Sequence, residues 1–275
     1  MTISKIRAIY FSPTGGTARI VAHAARTLSE RMGVPFLMQS YTTPAHREQW
    51  QPIEADDLIV WASPVYAGRI PNKTLDFVNT LIRGSHNPVV AIAVYGGRHY
   101  DHTLAEMQTA IHNGGMRCVG AAAMVCRHVF SNTLAQGRPT AADLSELEAY
   151  LRQIDLSQTL PPLPGHDVPL RYYTPQRTDN KPANFLKAIP LLQNQQCNQC
   201  GQCATWCPMG SIAEKDGFPS IEGICIKCMA CVQKCPHKAW QFRNEDFLSH
   251  IHHIEQQCAP HAPNWFAPIH GQPQR

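Results

Sequence analysis

The sequence predicts a doubly wound α/β domain with a five-stranded parallel sheet, followed by a small α+β unit stapled by metal. Three observations predict it. Short, continuous apolar runs alternate with helical stretches across residues 1–157. Prolines then interrupt all periodicity between 158 and 190. Finally, the pattern Cys197-x-x-Cys200-x-x-Cys203-x-x-x-Cys207-Pro208 recurs 28 positions later as Cys225-x-x-Cys228-x-x-Cys231-x-x-x-Cys235-Pro236.

The first strand is Ile6 to Phe11. It runs into Ser12-Pro13-Thr14-Gly15-Gly16-Thr17, after which Ala18 to Met32 carries Ile20, Val21, Ala24, Ala25 and Leu28 at helical spacing. Strand, glycine-rich turn and helix make an anion site, because the first helical N–H groups lack partners and the helix dipole favours negative charge. Gly15 and Gly16 let the backbone wrap a phosphate, and Ser12, Thr14 and Thr17 offer hydroxyls. No Gly-Lys-[Ser/Thr] follows, which argues against a nucleotide triphosphate. No Gly-x-Gly-x-x-Gly is present, which argues against a dinucleotide. An ordinary β–α turn capped by Thr14 or Thr17 is the plain alternative.

Val34–Gln39, Leu58–Trp61, Val89–Tyr95 and Cys118–Val125 supply the other strands, with helices expected at 72–82, 103–113 and 141–156. In such a sheet ligands sit beyond the strand C-termini at the switch point. The loops there read Pro64-Val65-Tyr66-Ala67-Gly68 and Tyr95-Gly96-Gly97-Arg98-His99-Tyr100.

These three loops resemble those of the flavodoxin family. The first matches its phosphate loop, [Ser/Thr]-x-Thr-Gly-x-Thr, and the other two match the loops flanking its flavin ring. The resemblance implies that Ser12, Thr14, Gly15, Gly16 and Thr17 hold the phosphate of FMN. It also implies that Tyr66 or Tyr100 stacks on the ring, while backbone around Pro64, Gly68, Tyr95, Gly96, Gly97 and Arg98 meets its edges. Glycine permits close approach because no Cβ intervenes. Arg98 and His99 read either as a solvated loop edge or as groups touching the ring or a substrate. No loop residue resembles a catalytic acid, base or nucleophile.

The connector, 158–190, opens on Leu160-Pro161-Pro162-Leu163-Pro164-Gly165 and is expected to be extended and semi-rigid. Leu170, Tyr172, Tyr173 and Phe185 predict that it packs on one domain. Cys118 and Cys126 read as small core residues.

Eight of the chain's 11 cysteines lie in the doubled motif, within 191–243. Thiolate is the soft ligand that iron–sulfur clusters need, four for each cubane, and this spacing is that of two [4Fe–4S] clusters. In proteins with two such motifs the fourth cysteine ligates the other cluster. The expected sets are therefore Cys197, Cys200, Cys203 and Cys235, and Cys225, Cys228, Cys231 and Cys207. Zinc accounts for a Cys-x-x-Cys but not for this tight triple plus a Cys-Pro, twice. Ile212, Phe218, Ile221, Ile224, Ile226, Trp240 and Phe242 are expected to wrap the sulfurs, and Trp206 to pack. The remainder, 244–275, reads as a polar tail containing His250, His252, His253, Cys258 and His261; a transition-metal site there is the lesser reading.

Bulk properties bound the function. The chain has 275 residues, 44% apolar and 16% charged, as expected of a globular protein with a sizeable core. Net charge is +4 with no block of five basic residues, so nucleic acid is not an expected partner. Between Cys197 and Arg243 basic residues outnumber acidic ones by two, which favours neutral or acidic partner surfaces. No run approaches the length of a membrane span, the N-terminus does not read as a signal peptide, and clustered thiols point to the reducing cytoplasm.

Taken together, residues 3–243 resemble the two-domain ferrodoxin family, in which a flavodoxin-like domain precedes a bacterial-type two-cluster ferredoxin. The resemblance implies a soluble electron carrier that shuttles electrons between FMN, two [4Fe–4S] clusters and external redox proteins. Two other readings stand beside it. One is a flavin-dependent reductase of a small conjugated acceptor such as a quinone, fed by the clusters. The other is a docking and relay subunit of a larger redox complex whose flavin site has degenerated.

Overall fold

A computed structural model describes residues 2–258 and 261–269. The first half alternates as expected: β1 (Lys5–Tyr10), α1 (Gly16–Met32), β2 (Phe36–Ser40), α2 (Pro44–Glu48), β3 (Asp57–Pro64), α3 (Leu75–Leu81), β4 (Pro88–Tyr95), α4 (Thr103–Asn113), β5 (Arg117–Val125) and α5 (Ala141–Gln153). These five strands are parallel in the order β2-β1-β3-β4-β5, the flavodoxin-like doubly wound order. β3 and β4 are almost entirely buried, because helices cover both faces. Ile6, Ala8, Leu58, Val60, Val90 and Ile92 pack under α1 and α5. Ile9, Ile59, Trp61, Val89 and Ala91 pack under α3, α4 and the connector's Leu160 and Leu163.

The departures are local and have physical causes. The stretch 72–74 forms a tight 3-10 turn before α3 begins. α5 stops at Gln153, where Ile154 turns extended and buried, and Arg31 on α1 donates to the carbonyl oxygens of Leu151 (2.7 Å) and Ile154 (2.9 Å). A guanidinium on the last carbonyls ends a helix as a cap does.

The stretch from 244, expected as a polar tail, folds back onto the sheet. α8 (Glu245–Gln257) buries Phe247, His250, His253 and Ile254, and β10 (Trp265–Phe266) pairs antiparallel with β5 at Ala123 and Ala122. The sheet thus has a sixth, antiparallel edge strand beside its five parallel ones. Trp265 joins the core on one face and Phe266 the other, as the pleat requires. The connector is held rather than free: Gln108 grips it through the Pro161 carbonyl (2.9 Å) and the Leu163 N–H (2.8 Å), and Arg177 pairs with Asp246 of α8 (2.5 Å).

The cysteine-bearing unit contains β6 (Leu191–Leu192), α6 (Gln202–Trp206), β7 (Ile212–Lys215), β8 (Phe218–Ile221), α7 (Ala230–Lys234) and β9 (Trp240–Gln241), with β6 paired to β9 and β7 to β8. The sequence repeat is a backbone repeat. Left-handed φ recurs 28 positions apart at Gln199 and Lys227, at Gly201 and Met229, and at Gly210 and Lys238.

Candidate functional site

The eight cysteines gather into two cavities. Cys225, Cys228 and Cys231 line one of them together with Cys207, which belongs to the other motif in sequence. Cys197, Cys200 and Cys203 line the second together with Cys235. The crossing has a local cause. α6 and α7 each end at the fourth cysteine of their motif, where ψ becomes extended and the following proline bars another helical turn. Each fourth thiol then accepts a backbone N–H four residues on, Ser211 to Cys207 (3.3 Å) and Ala239 to Cys235 (3.4 Å).

Ile212, Ile221, Ile224, Ile226 and Phe242 line the Cys225 cavity, and Trp206 and Trp240 the other; Phe218 lines neither. Burial pushes the Cys228 thiol up to about 12, and the neighbouring Cys207 and Cys225 add to the rise. Burial raises Cys231 too, with Cys228, Cys225 and Cys207 adding to the rise. Thiols raised in this way, Cys225, Cys228 and Cys231, resist ionising unless a cation joins them, so the donor set fits an iron–sulfur cluster.

At the first loop, Gly15 opens α1 at φ 95° with no side-chain cap on the helix, and a Cβ there would meet nothing within 4 Å. Ser12 is engaged at both ends: its N–H donates to Thr42 Oγ1 (2.8 Å), and its Oγ accepts from the Ala18 N–H (3.0 Å). Thr17 is buried and Thr14 half-buried. Cys126, expected only as a core residue, lies against Gly16, with its Sγ 2.7 Å from where a Cβ would stand. Burial raises its thiol, while Arg19 and Arg127 nearby pull the other way, so this corner is electropositive. An uncapped helix start, an open glycine and two guanidinium groups fit a phosphate.

The loop after β3 turns tightly, with Tyr66 and Arg69 exchanging backbone hydrogen bonds at 2.8 and 3.1 Å. Tyr66 is packed against the sheet core alongside Ile226, the residue after Cys225. Burial pushes its phenol well above the ordinary value, and the thiols of Cys228 and Cys225 reinforce the shift. The close approach that glycine permits at 68 and 96 is used by the chain itself. Asp101 lies on Gly68 and the His128 ring on Gly96.

Tyr100 packs elsewhere, with Tyr95, His99 and Trp265. The Tyr95 hydroxyl donates to the Pro263 carbonyl. Arg98 pairs with Asp101 and lies over the Tyr173 ring at 4.0 Å. Burial opposes ionisation of Asp101, yet hydrogen bonds from His99 and Arg98 hold its carboxyl at about 2. Tyr95, Gly97, Arg98, His99 and Tyr100 thus line a cleft of about 510 Å³ together with Tyr173, His253 and Cys258. The Pro64 end of β3 does not line that cleft.

The two units touch through contacts that no sequence pattern announced. Arg47 Nη2 donates to the Pro208 carbonyl (2.8 Å) and Gln233 Nε2 to that of Val129 (2.6 Å), while Lys227 Nζ holds the connector through the Leu186 carbonyl (2.6 Å). Gly210 sits against the Pro44 ring.

A flavodoxin-like sheet joined to a unit with two four-cysteine cavities defines an iron–sulfur protein of electron transport. Residues 196–240 match the 4Fe–4S dicluster domain family. The chain is 32% identical over 62 residues to pyruvate synthase subunit PorD of Methanocaldococcus jannaschii, a stretch covering 22% of this chain and 72% of that protein. It is 34% identical over 74 residues to an uncharacterized ferredoxin of the same organism, covering 24% of this chain and 47% of the relative. The chain belongs to the 4Fe–4S dicluster ferredoxin family through this segment. Among solved structures, a flavodoxin from the domain Archaea aligns at 14% identity and TM-score 0.39, covering 54% of this chain and 94% of that one. Oxidised flavodoxin 2 from Bacillus cereus aligns at 14% identity and TM-score 0.41, covering 54% and 95%. Among the described residues, no helix is long and apolar enough to cross a membrane.

Proposed function

We propose that this protein is an electron carrier holding two [4Fe–4S] clusters and one FMN, exchanging electrons with external redox proteins in a reducing compartment. The observation that carries the reading is the sorting of eight cysteines into two cavities, each with three thiols of one motif and the fourth of the other. Cys197, Cys200, Cys203 and Cys235 hold one cluster; Cys225, Cys228, Cys231 and Cys207 hold the second. Ser12, Thr14, Gly15, Gly16 and Thr17 cradle the FMN phosphate at the uncapped start of α1. Tyr66 is the tyrosine beside the ring, because it lies on the side of the sheet that meets Ile226 and the second cysteine set.

When bound, each cluster supplies a one-electron site and the flavin a two-electron one. The chain's own residues do the rest. The isoleucines and Phe242 keep water from the sulfurs, and the N–H groups of Ser211 and Ala239 soften their charge. Arg47 and Gln233 clamp the cysteine unit onto the ends of the sheet.

The test is anaerobic purification with iron and flavin analysis. About eight iron per chain and one FMN are expected, and a protein with neither sinks the proposal. Cys207→Ala should damage the cluster of the second motif and Cys235→Ala that of the first. A second reading, reduction of a small conjugated acceptor, is favoured by the cleft beside Arg98, His99 and Tyr100, whose size suits a ligand. Steady turnover of a soluble quinone that stops when flavin is stripped would decide for it.

A further inference from the structure

The two copies of the cysteine motif share a backbone but not their surroundings. Residues 198–202 are exposed at every position, whereas at the equivalent 226–230, Ile226 and Lys227 are half-buried and Cys228, Met229 and Ala230 buried. The cover over the second copy is the rest of the chain: the sheet core against Ile226, the connector's Leu186 carbonyl on Lys227, and Val129 on Gln233. The hydrogen bonds of the first loop stay within its own motif, from Gln199 N–H to Cys197 Sγ (3.4 Å) and from Cys200 N–H to Asn198 Oδ1 (3.3 Å).

The chemistry around the bare copy is one-sided. No carboxylate lines the cavity of Cys197, Cys200, Cys203 and Cys235 among the described residues. Two exposed lysines, Lys234 and Lys238, flank Cys235, and the exposed His237 lines the cavity beside it. Lys234 reaches over the Trp206 ring at 5.6 Å. A polar, uncharged loop rimmed by cations suits a negatively charged surface.

We infer that the first motif, Asn198 to Gln202 with His237 and Lys238, is the docking face for an acidic redox protein, and that the second motif is turned inward to serve the flavodoxin-like unit. This rests on the cofactor reading above. The exposed loop brings a partner close to the Cys197 set, while the same approach to the Cys225 set is blocked by the chain's own sheet, connector and Tyr66.

The test uses the full chain with its cofactors, oxidised, binding to an immobilised oxidised acidic bacterial ferredoxin at low salt, so that no electron moves. Iron and flavin are counted first in each sample. The double variant Gln199→Glu/Gln202→Glu should weaken binding about tenfold and Lys238→Glu several-fold, with both differences vanishing at high ionic strength. Arg26→Glu, an equal change of charge on the exposed side of α1, should stay within about twofold. Zero-length carbodiimide coupling should join the ferredoxin to Lys238. Failure of the wild-type chain to bind, equal weakening by Arg26→Glu, or coupling confined to Lys5 or Lys73 overturns the inference. Samples lacking iron or flavin sink the cofactor reading instead. Samples that carry both, with an affinity blind to the loop charges, sink the docking face alone.

Discussion

The two units of this chain are stabilised in different ways. In the sheet, whole faces of β1, β3, β4 and β5 are buried under helices, and side chains such as Trp61, Ile59 and Leu58 are fully covered. In the cysteine unit the apolar cluster centres on only Cys203, Ile212 and Trp240, with partly buried neighbours that are themselves mostly cysteines and small apolar groups. Apolar burial can hold the first unit by itself. The second has less to hide, and much of what lies at its centre is cysteine sulfur. The same chain therefore carries one unit that apolar burial holds without help and one whose fold, on the proposed reading, is coupled to its metal.

Removing iron is the strongest way to break that symmetry of appearances. Chelation under mild acid should unfold 191–243 while the sheet stays folded. Amide exchange should show loss of protection at β7, β8 and α7, with β3 and β4 still protected. Simultaneous collapse of both units would mean that the sheet leans on the cysteine unit more than its buried core implies.

Next in size is the complementary damage. Ile59 is fully buried at the centre of the sheet, and Ile59→Ala should cost about 2–5 kcal/mol, much of a domain's usual margin. Urea unfolding followed by far-UV circular dichroism should shift accordingly. The visible absorbance of the folded protein should be unchanged below the transition, because Ile59 touches no cysteine cavity.

How much of this was legible beforehand follows the same division. The gathering of the eight cysteines was readable, because a cubane demands four thiolates and three of each set are local in sequence. The glycine turn before α1 was readable for the same reason: strand, turn and helix start are contiguous. What lay outside reach was tertiary. Nothing near Tyr66 or Ile226 in sequence says that both pack on one core, nor that Asp101 and His128 occupy the space above Gly68 and Gly96. α8 was hidden because its inward stripe, Phe247, His250 and Ile254, runs through a histidine that scores as polar yet stacks on Phe185 and bonds the Gln176 carbonyl. β10 is two residues long, too short to show a period.

The fastening of that C-terminal strand gives a pH-dependent contrast with the pH-indifferent apolar core. Burial opposes ionisation of Asp143, but hydrogen bonds from Arg138, the Thr140 N–H and the Asn264 amide hold its carboxyl at about 2, below the ordinary 3.8. A carboxyl depressed in the folded state contributes stability that is complete above the ordinary value and lost as pH falls from about 4 through about 2. The contribution is about 2 kcal/mol. Since Asn264 also accepts the Val125 N–H (3.0 Å), acid should loosen β10 from β5, with Trp265 fluorescence reporting it. Asp143→Asn should flatten that pH dependence; an unaltered profile would show that another group controls the strand.

The smallest effect separates the helix cap from the strand fastening. Thr140 and Asp143 form a reciprocal capping box at the start of α5: the Asp143 N–H donates to Thr140 Oγ1 (3.2 Å), and the Thr140 N–H donates to the Asp143 carboxylate (2.6 Å). Thr140→Ala removes the hydroxyl but leaves the carboxylate with Arg138 and Asn264, so it should cost about 1 kcal/mol. Amide exchange should quicken at the first turn of α5 and stay slow at Ala122 and Ala123, which β10 covers. If both regions loosen together, the cap and the strand are one cooperative fastening, and the sheet's closing edge depends on α5 rather than on Asp143 alone.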